Sequence, residues 1–259
     1  LSLRLPALQR HGGARRIGES AGVWFDARGK KTATLLYLHG GAYFVGPPGL
    51  HRPILSAFAG HGFDVFAPAY RLAPLHPFPA AVDDARQAYL DLRAHVEGPV
   101  VVAGDSAGGG LALALMIALR DAGETLPEAA VLFSPWTDLL VTGASTRENE
   151  ARDALFTRRM LKIAARNYLQ GANAKNPLAS PLYGDLAGLP PLLVHTGADE
   201  VLRDDSTRLI ERAQAAGVDA QLKLWPVVPH VWQLATPLMP EARASLSEAA
   251  EFLRAQVAA

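Results

Sequence analysis

The run Gly104-Asp105-Ser106-Ala107-Gly108 follows the aliphatic stretch Pro99-Val100-Val101-Val102-Ala103 and leads into the apolar stretch Ala107 to Leu119. A strand that enters a sharp turn and leaves as a helix is the setting in which G-x-S-x-G presents a serine as a nucleophile. The small residues have a physical task. The turn forces Ser106 into a strained backbone conformation, and a large side chain at Gly104 or Gly108 would collide with a neighbouring strand or helix. Ser106 is thereby exposed at a helix N-terminus, whose dipole favours developing negative charge. A glycine-rich turn can instead cradle a phosphate, but that needs G-x-G-x-x-G or G-x-x-x-x-G-K-[ST], and neither string occurs in the 259 residues.

A serine hydroxyl needs a base to take its proton and a third group to orient that base. After such a turn the partners follow in the order Ser, Asp or Glu, His. Only His195 and His230 come after Ser106. His195 falls inside a predicted strand and reads as a packed residue. His230 falls in a loop before the terminal helix and is assigned as the base. The acid is expected from the loop after Leu192-Leu193-Val194, at the strand end where ligands collect in open α/β sheets. Asp199 is the first carboxylate there and is the assigned acid. Glu200, Asp204 and Asp205 are its rivals, the last two reading as caps at the start of the next helix. Upstream, Leu35-Leu36-Tyr37-Leu38 ends in His39-Gly40-Gly41-Ala42, a loop able to turn main-chain N–H groups toward an oxyanion.

These residues need a scaffold, and the chain alternates short aliphatic runs with longer helical patterns, the form of β-α-β units. Strands are predicted at 32–38, 64–68, 99–104, 129–133, 191–196 and 221–225. Helices are predicted at 79–95, 106–121, 204–216 and 240–258. The fold class is α/β, a mostly parallel sheet flanked by helices, in one domain over 1–259. Residues 1–25 are Arg- and Gly-rich, with a weak alternation at Val23-Trp24-Phe25 that suggests an antiparallel edge strand. The segment 136–190 is too long for a single crossover and is expected to hold an inserted cap or lid. Within it, Met160, Leu161, Ala164, Tyr168 and Leu169 share one helical face after an N-cap at Thr157.

Composition excludes several classes. Lys+Arg and Asp+Glu balance at 25 each, so no electrostatic grip on nucleic acid is expected. The absence of Cys removes disulfides, thiolate nucleophiles and Cys-ligated metals. The longest apolar stretch, Ala107 to Leu119, falls short of the roughly 20 residues of a membrane span. No basic region followed by an apolar one opens the chain, and a cytoplasmic location is the expectation.

Together these motifs resemble the bacterial hormone-sensitive-lipase-like esterases, carboxylic ester hydrolases of the α/β-hydrolase fold. The resemblance takes in His39 to Ala42, Pro68 to Pro74, His76 to Asp84, Gly104 to Gly109, Ser134 to Asp138, Ser180 to Leu182, and the regions of Asp199 and His230. It implies a serine carboxylesterase acting on short- to medium-chain acyl esters through Ser106, Asp199 and His230. It places the oxyanion N–H groups at Gly41, Ala42 and Ala107, and it requires no metal or organic cofactor. Tyr43, Phe44, Trp136, Val231 and Trp232 adjoin the motifs and are the candidate pocket lining, with burial in the core as their alternative. The expected partner is a small-molecule ester, and a homodimer is the candidate assembly. Amidase or arylformamidase activity on the same residues, or a non-catalytic receptor on this scaffold, are the competing functions.

Three departures from the family pattern stand out. Ala42 replaces a third glycine and adds a methyl beside the oxyanion. Leu75 replaces a glutamate, so that a partner of Arg71 is expected to be missing. Relatives also carry a few tens of further N-terminal residues that form part of a cap, and the chain reads as too short to include them.

Overall fold

The structure is a computed structural model that describes residues 12–258. Part of the expected N-terminal edge-strand region, residues 1–11, lies outside the described residues. Eight strands, β1 Gly12–Ile17, β2 Ser20–Phe25, β3 Ala33–Leu38, β4 Phe63–Pro68, β5 Val100–Asp105, β6 Ala130–Phe133, β7 Leu192–Gly197 and β8 Ala220–Trp225, form one sheet in the order β1-β2-β4-β3-β5-β6-β7-β8. β3 to β8 run parallel, while β1 pairs with β2 and β2 with β4 antiparallel. The helices are α1 Arg52–Gly60, α2 Ala80–His95, α3 Ala107–Asp121, α4 Ser145–Glu148, α5 Arg158–Leu169, α6 Arg203–Ala215 and α7 Pro240–Ala258.

The central strands bury both faces, as parallel strands covered by helices must, and read as continuous apolar runs. Their side chains still alternate. Leu36, Leu38, Val100 and Val102 pack toward α2 and α3, whereas Leu35, Tyr37, Val101 and Ala103 pack toward α1 and α7. α3 is buried on almost every side, which accounts for its near-absence of charge.

The predicted strands and helices coincide with the observed ones to within a residue or two at their ends. α1 was not anticipated. It is a short amphipathic helix of nine residues, with Ile54, Leu55, Phe58 and Ala59 as its buried face. The N-terminal region is a two-stranded hairpin, so the β-strand at Val23-Trp24-Phe25 is the inner strand and β1 is the edge. In α5 the Thr157 hydroxyl does cap Met160 N–H, at 3.3 Å, but Met160 is exposed and Ala165 takes its place on the buried face. Among the described residues no helix is long and apolar enough to cross a membrane.

Candidate active site

Ser106 follows β5, the Gly40-Gly41-Ala42 loop follows β3, Asp199 and Glu200 follow β7, and His230 follows β8. All four segments therefore leave the C-terminal ends of parallel strands, along one edge of the sheet.

Ser106 has φ 53° and ψ −124°, a strained conformation for a residue with a side chain. It persists because the surroundings fix it. Its N–H donates to Phe133 O at 2.8 Å, and its carbonyl accepts from Gly109, Gly110 and Trp136 N–H at 2.9–3.1 Å. The glycines do what the sequence demanded of them. A Cβ on Gly104 would overlap the Gly108 carbonyl, and one on Gly108 would overlap the Leu38 and His39 carbonyls.

The loop after β3 turns through Gly41 at φ 125°, Ala42 at φ 53° and Tyr43 at φ 67°. A Cβ on Gly41 would overlap Val45 O, so only glycine fits there. Ala42 keeps its N–H in a left-handed conformation that glycine would adopt more readily. Among the described residues, the N–H groups of Gly41, Ala42 and Ala107 have no acceptor within the protein. His39 is buried and stacks on Tyr70 with ring centroids 4.3 Å apart, while Tyr70 donates to His39 O at 2.5 Å. Burial lowers the His39 pKa to about 4, so the ring is neutral at pH 7, and its Nδ1 contacts Gly40 O at 2.8 Å.

His230 is buried, and its Nδ1 lies 2.6 Å from Oε2 of Glu200. Its Nε2 has no partner within the protein among the described residues. Burial works against a charged ring, but the Glu200 carboxylate outweighs it, with smaller contributions from Asp153 and Asp105, and the His230 pKa is raised. The structure brings Glu200, and not the expected Asp199, to the imidazole. Asp199 is substantially exposed and pairs with Arg152 at 3.4 Å. Glu200 is 1% exposed and its other oxygen accepts from Ser134 Oγ at 2.7 Å and Gly197 N–H at 2.5 Å. Neighbouring side chains in this turn point in different directions, and only the second meets the imidazole. Spacing alone did not separate them; the signal available was Ser134, whose hydroxyl has a buried acceptor to find.

The other rivals are not caps of their own helix. Asp205 accepts from the N–H groups of Thr137 and Asp138 at 2.7 and 2.8 Å, and Asp204 accepts from Ser145 N–H at 2.8 Å. His195 is packed inside β7, its Nδ1 2.8 Å from Ser245 Oγ, and burial lowers its pKa to about 3. Arg71 does not lack a partner, because Asp84 receives its guanidinium in a bidentate pair.

Most of the candidate pocket lining is core. Trp136 is buried with Nε1 donating to Asp138 O, Val231 packs beneath the sheet, and Trp232 packs with Trp225 and Ala242. Tyr43 is buried and stacked on Tyr168 at 3.8 Å, leaving Phe44 as the exposed member of the five. A cleft of about 210 Å³ opens beside His230, lined also by Arg152, Asp153, Asp199, Glu200 and Val228. The 136–190 segment supplies one wall. The Phe156 and His230 rings meet at right angles with centroids 4.9 Å apart, and Asn149 donates to the Ala198 and Glu200 carbonyls.

The family signature of the alpha/beta hydrolase fold matches residues 35–234, and the chain belongs to that family. Within it, the chain groups with the bacterial hormone-sensitive-lipase esterases. It is 45% identical to a solved esterase of that family, with a TM-score of 0.92, over 95% of this chain and 84% of the other. A curated acetyl-hydrolase of Streptomyces hygroscopicus is 46% identical over 92% of this chain and 81% of its own length. An esterase of Acinetobacter venetianus is 36% identical over 92% and 80%.

Proposed function

We propose that this esterase hydrolyses small carboxylic esters in two steps, with Ser106 as nucleophile, His230 as general base and Glu200 orienting His230. The observation that carries this reading is the His230 ring itself: Glu200 holds Nδ1 at 2.6 Å and, among the described residues, Nε2 is left without a protein partner. That fixes the tautomer in which Nε2 is the free base. Ser106 loses its proton to Nε2 as Oγ attacks the ester carbonyl. The oxyanion is received by the N–H groups of Gly41, Ala42 and Ala107, which have no competing acceptor among the described residues, and the alcohol leaves with the proton returned from His230. Water then repeats the sequence on the acyl-enzyme, releasing the acid and restoring Ser106.

The acyl range proposed is short. Tyr43 packs against Trp136 and Tyr168, with ring centroids 6.3 and 3.8 Å apart, so these rings close on one another beside the oxyanion loop. The name of the Streptomyces relative points to acetyl groups. The experiment is a rate series of p-nitrophenyl esters from acetate to laurate, with Ser106→Ala alongside. Rates should fall with chain length, and Ser106→Ala should lower kcat by about 10⁶ if the three residues act as a unit. Equal rates in Ser106→Ala would refute the reading. An N-formyl amide in the same series tests amide cleavage, for which slower turnover is expected.

A further inference from the structure

The residue before the nucleophile has no role in the mechanism above, yet its side chain is buried and charged. Asp105 is 2% exposed at the end of β5, on the face of the sheet that carries Phe58 and Phe133. A carboxylate taken out of water costs several kcal/mol unless it is paired and hydrogen-bonded. Asp105 has three donors, each from a different segment. Oδ1 accepts from Tyr37 Oη on β3 at 2.7 Å and from Gly40 N–H at 3.0 Å. Oδ2 lies 3.2 Å from Nε2 of His51, itself 6% exposed, in the 3₁₀ turn Pro48–His51 that precedes α1.

Gly40 and His51 bracket the segment that carries Gly41 and Ala42. The oxyanion loop is thus tied at both ends to one carboxylate, and that carboxylate belongs to the residue adjacent to Ser106. Approach at the first end is tight, since a Cβ on Gly40 would overlap Asp105 Oδ2. Between the ends, the segment is held by Phe44 and Val45 N–H on Gly41 O and by Ala73 N–H on Tyr43 O. Among the described residues, no hydrogen bond from between these ends reaches the elbow. Asp105 thus adds a side-chain tie between the oxyanion donors and the nucleophile to the β3–β5 ladder, which pairs Leu38 with Gly104.

We propose that His51 is a positioning residue for ester hydrolysis: its imidazole N–H on Asp105 fixes the carboxylate that sets the oxyanion loop against Ser106. This rests on the proposed function, in which that loop receives the oxyanion. His51 does not touch substrate. The groups facing it are Asp105, the Tyr37 ring at 6.0 Å and the His39 ring at 5.5 Å. Burial opposes its charge and the Asp105 carboxylate outweighs burial, so its pKa is raised; the Asp105 pKa is lowered by the same pairing against the effect of burial.

The test compares His51→Gln, His51→Asn and His51→Leu with the parent on p-nitrophenyl acetate. The Gln amide nitrogen can occupy the place of Nε2, the shorter Asn amide cannot reach it, and Leu leaves Oδ2 without its donor. Donors to an oxyanion act in the transition state, so mispositioning lowers kcat and spares KM. Loss of one such donor outright costs on the order of 10² to 10³. His51→Leu and His51→Asn should therefore lose kcat by about 10- to 100-fold at near-constant KM, with His51→Gln within about threefold of the parent. Should His51→Leu fail to fold, the Gln and Asn pair carries the comparison. Parent-like kcat in Asn or Leu overturns the proposal, as does equal loss in Gln and Asn, or a change confined to KM. Ser106→Ala keeps the two readings apart: if it is active the proposed function fails, whereas an inactive Ser106→Ala beside a fully active His51→Asn fails His51 alone.

Discussion

Glu200 Oε2 meets His230 Nδ1 at 2.6 Å, while the adjacent carboxylate of Asp199 turns outward to Arg152 at 3.4 Å. One step along the chain separates a buried carboxylate at the imidazole from a surface ion pair. Glu200→Gln should therefore lower kcat/KM by about 10³ to 10⁴, the scale of losing the carboxylate that orients a catalytic imidazole. Asp199→Asn removes only an exposed pair worth about 0–1 kcal/mol and should stay within about fivefold of the parent. Steady-state kinetics of the two variants decide the matter, and the reverse ranking would reinstate Asp199.

The raised pKa of His230 has a consequence for pH dependence. The ring must be neutral to accept a proton, so activity falls as pH drops through that pKa. The acid limb of kcat/KM should lie above the 6.5 of an ordinary imidazole. Glu200 is the largest contribution raising it, so the residual activity of Glu200→Gln should show its acid limb shifted to lower pH. An unshifted limb in the variant would mean that the limb reports a different group.

The elbow glycines can be tested as packing. Gly108→Ala places a methyl into the Leu38 and His39 carbonyls, and Gly13→Ala on β1 meets nothing within 4 Å. Overpacking of this kind costs about 1–3 kcal/mol or more, so Gly108→Ala should melt well below the parent or not fold. Gly13→Ala should melt with it. Thermal unfolding followed by circular dichroism gives the comparison.

Asp205 offers a stability test away from the chemistry. Burial, with the neighbouring Asp138, raises its pKa from 3.8 to about 7, against the pull of the Thr137 and Asp138 N–H groups and Arg208. The folded state then holds the proton more tightly than the unfolded chain. The stabilisation from this group is fully present below about pH 4 and is lost as pH rises toward 7. Asp205→Asn should remove that decline, with a slope difference of up to about 1.4 kcal/mol per pH unit between the two curves. Parallel curves of unfolding free energy from pH 4 to 7 would show that Asp205 titrates normally.

Much of this architecture is legible from residue order because the central parallel strands are buried on both faces and bounded by Gly or Pro. Runs such as Ala33–Leu38 and Val100–Asp105 admit no other reading once helices flank them. Ser106 and its glycines are equally legible, since their conformation is a local steric requirement. What residue order conceals is direction. Asp199 and Glu200 are chemically alike neighbours, separated only by which way a loop side chain points, and that is set by Ser134 and Gly197. Trp136 and Trp232 sit beside motifs yet are buried, because adjacency in sequence says nothing about which side of the sheet a ring enters. Likewise the partner of Arg71 is thirteen residues away on α2, where no local pattern reveals it.

The stacking of Tyr43 on Tyr168 couples two parts of the enzyme that an engineer would treat as separate. Tyr43 is the residue after Ala42, and Tyr168 belongs to α5 in the inserted segment. Trimming that segment to admit bulkier esters would take away the surface on which the proposed oxyanion loop leans. Broader substrate scope obtained in this way would come at the expense of turnover, and redesign is better directed at exposed Phe44, two residues after Ala42.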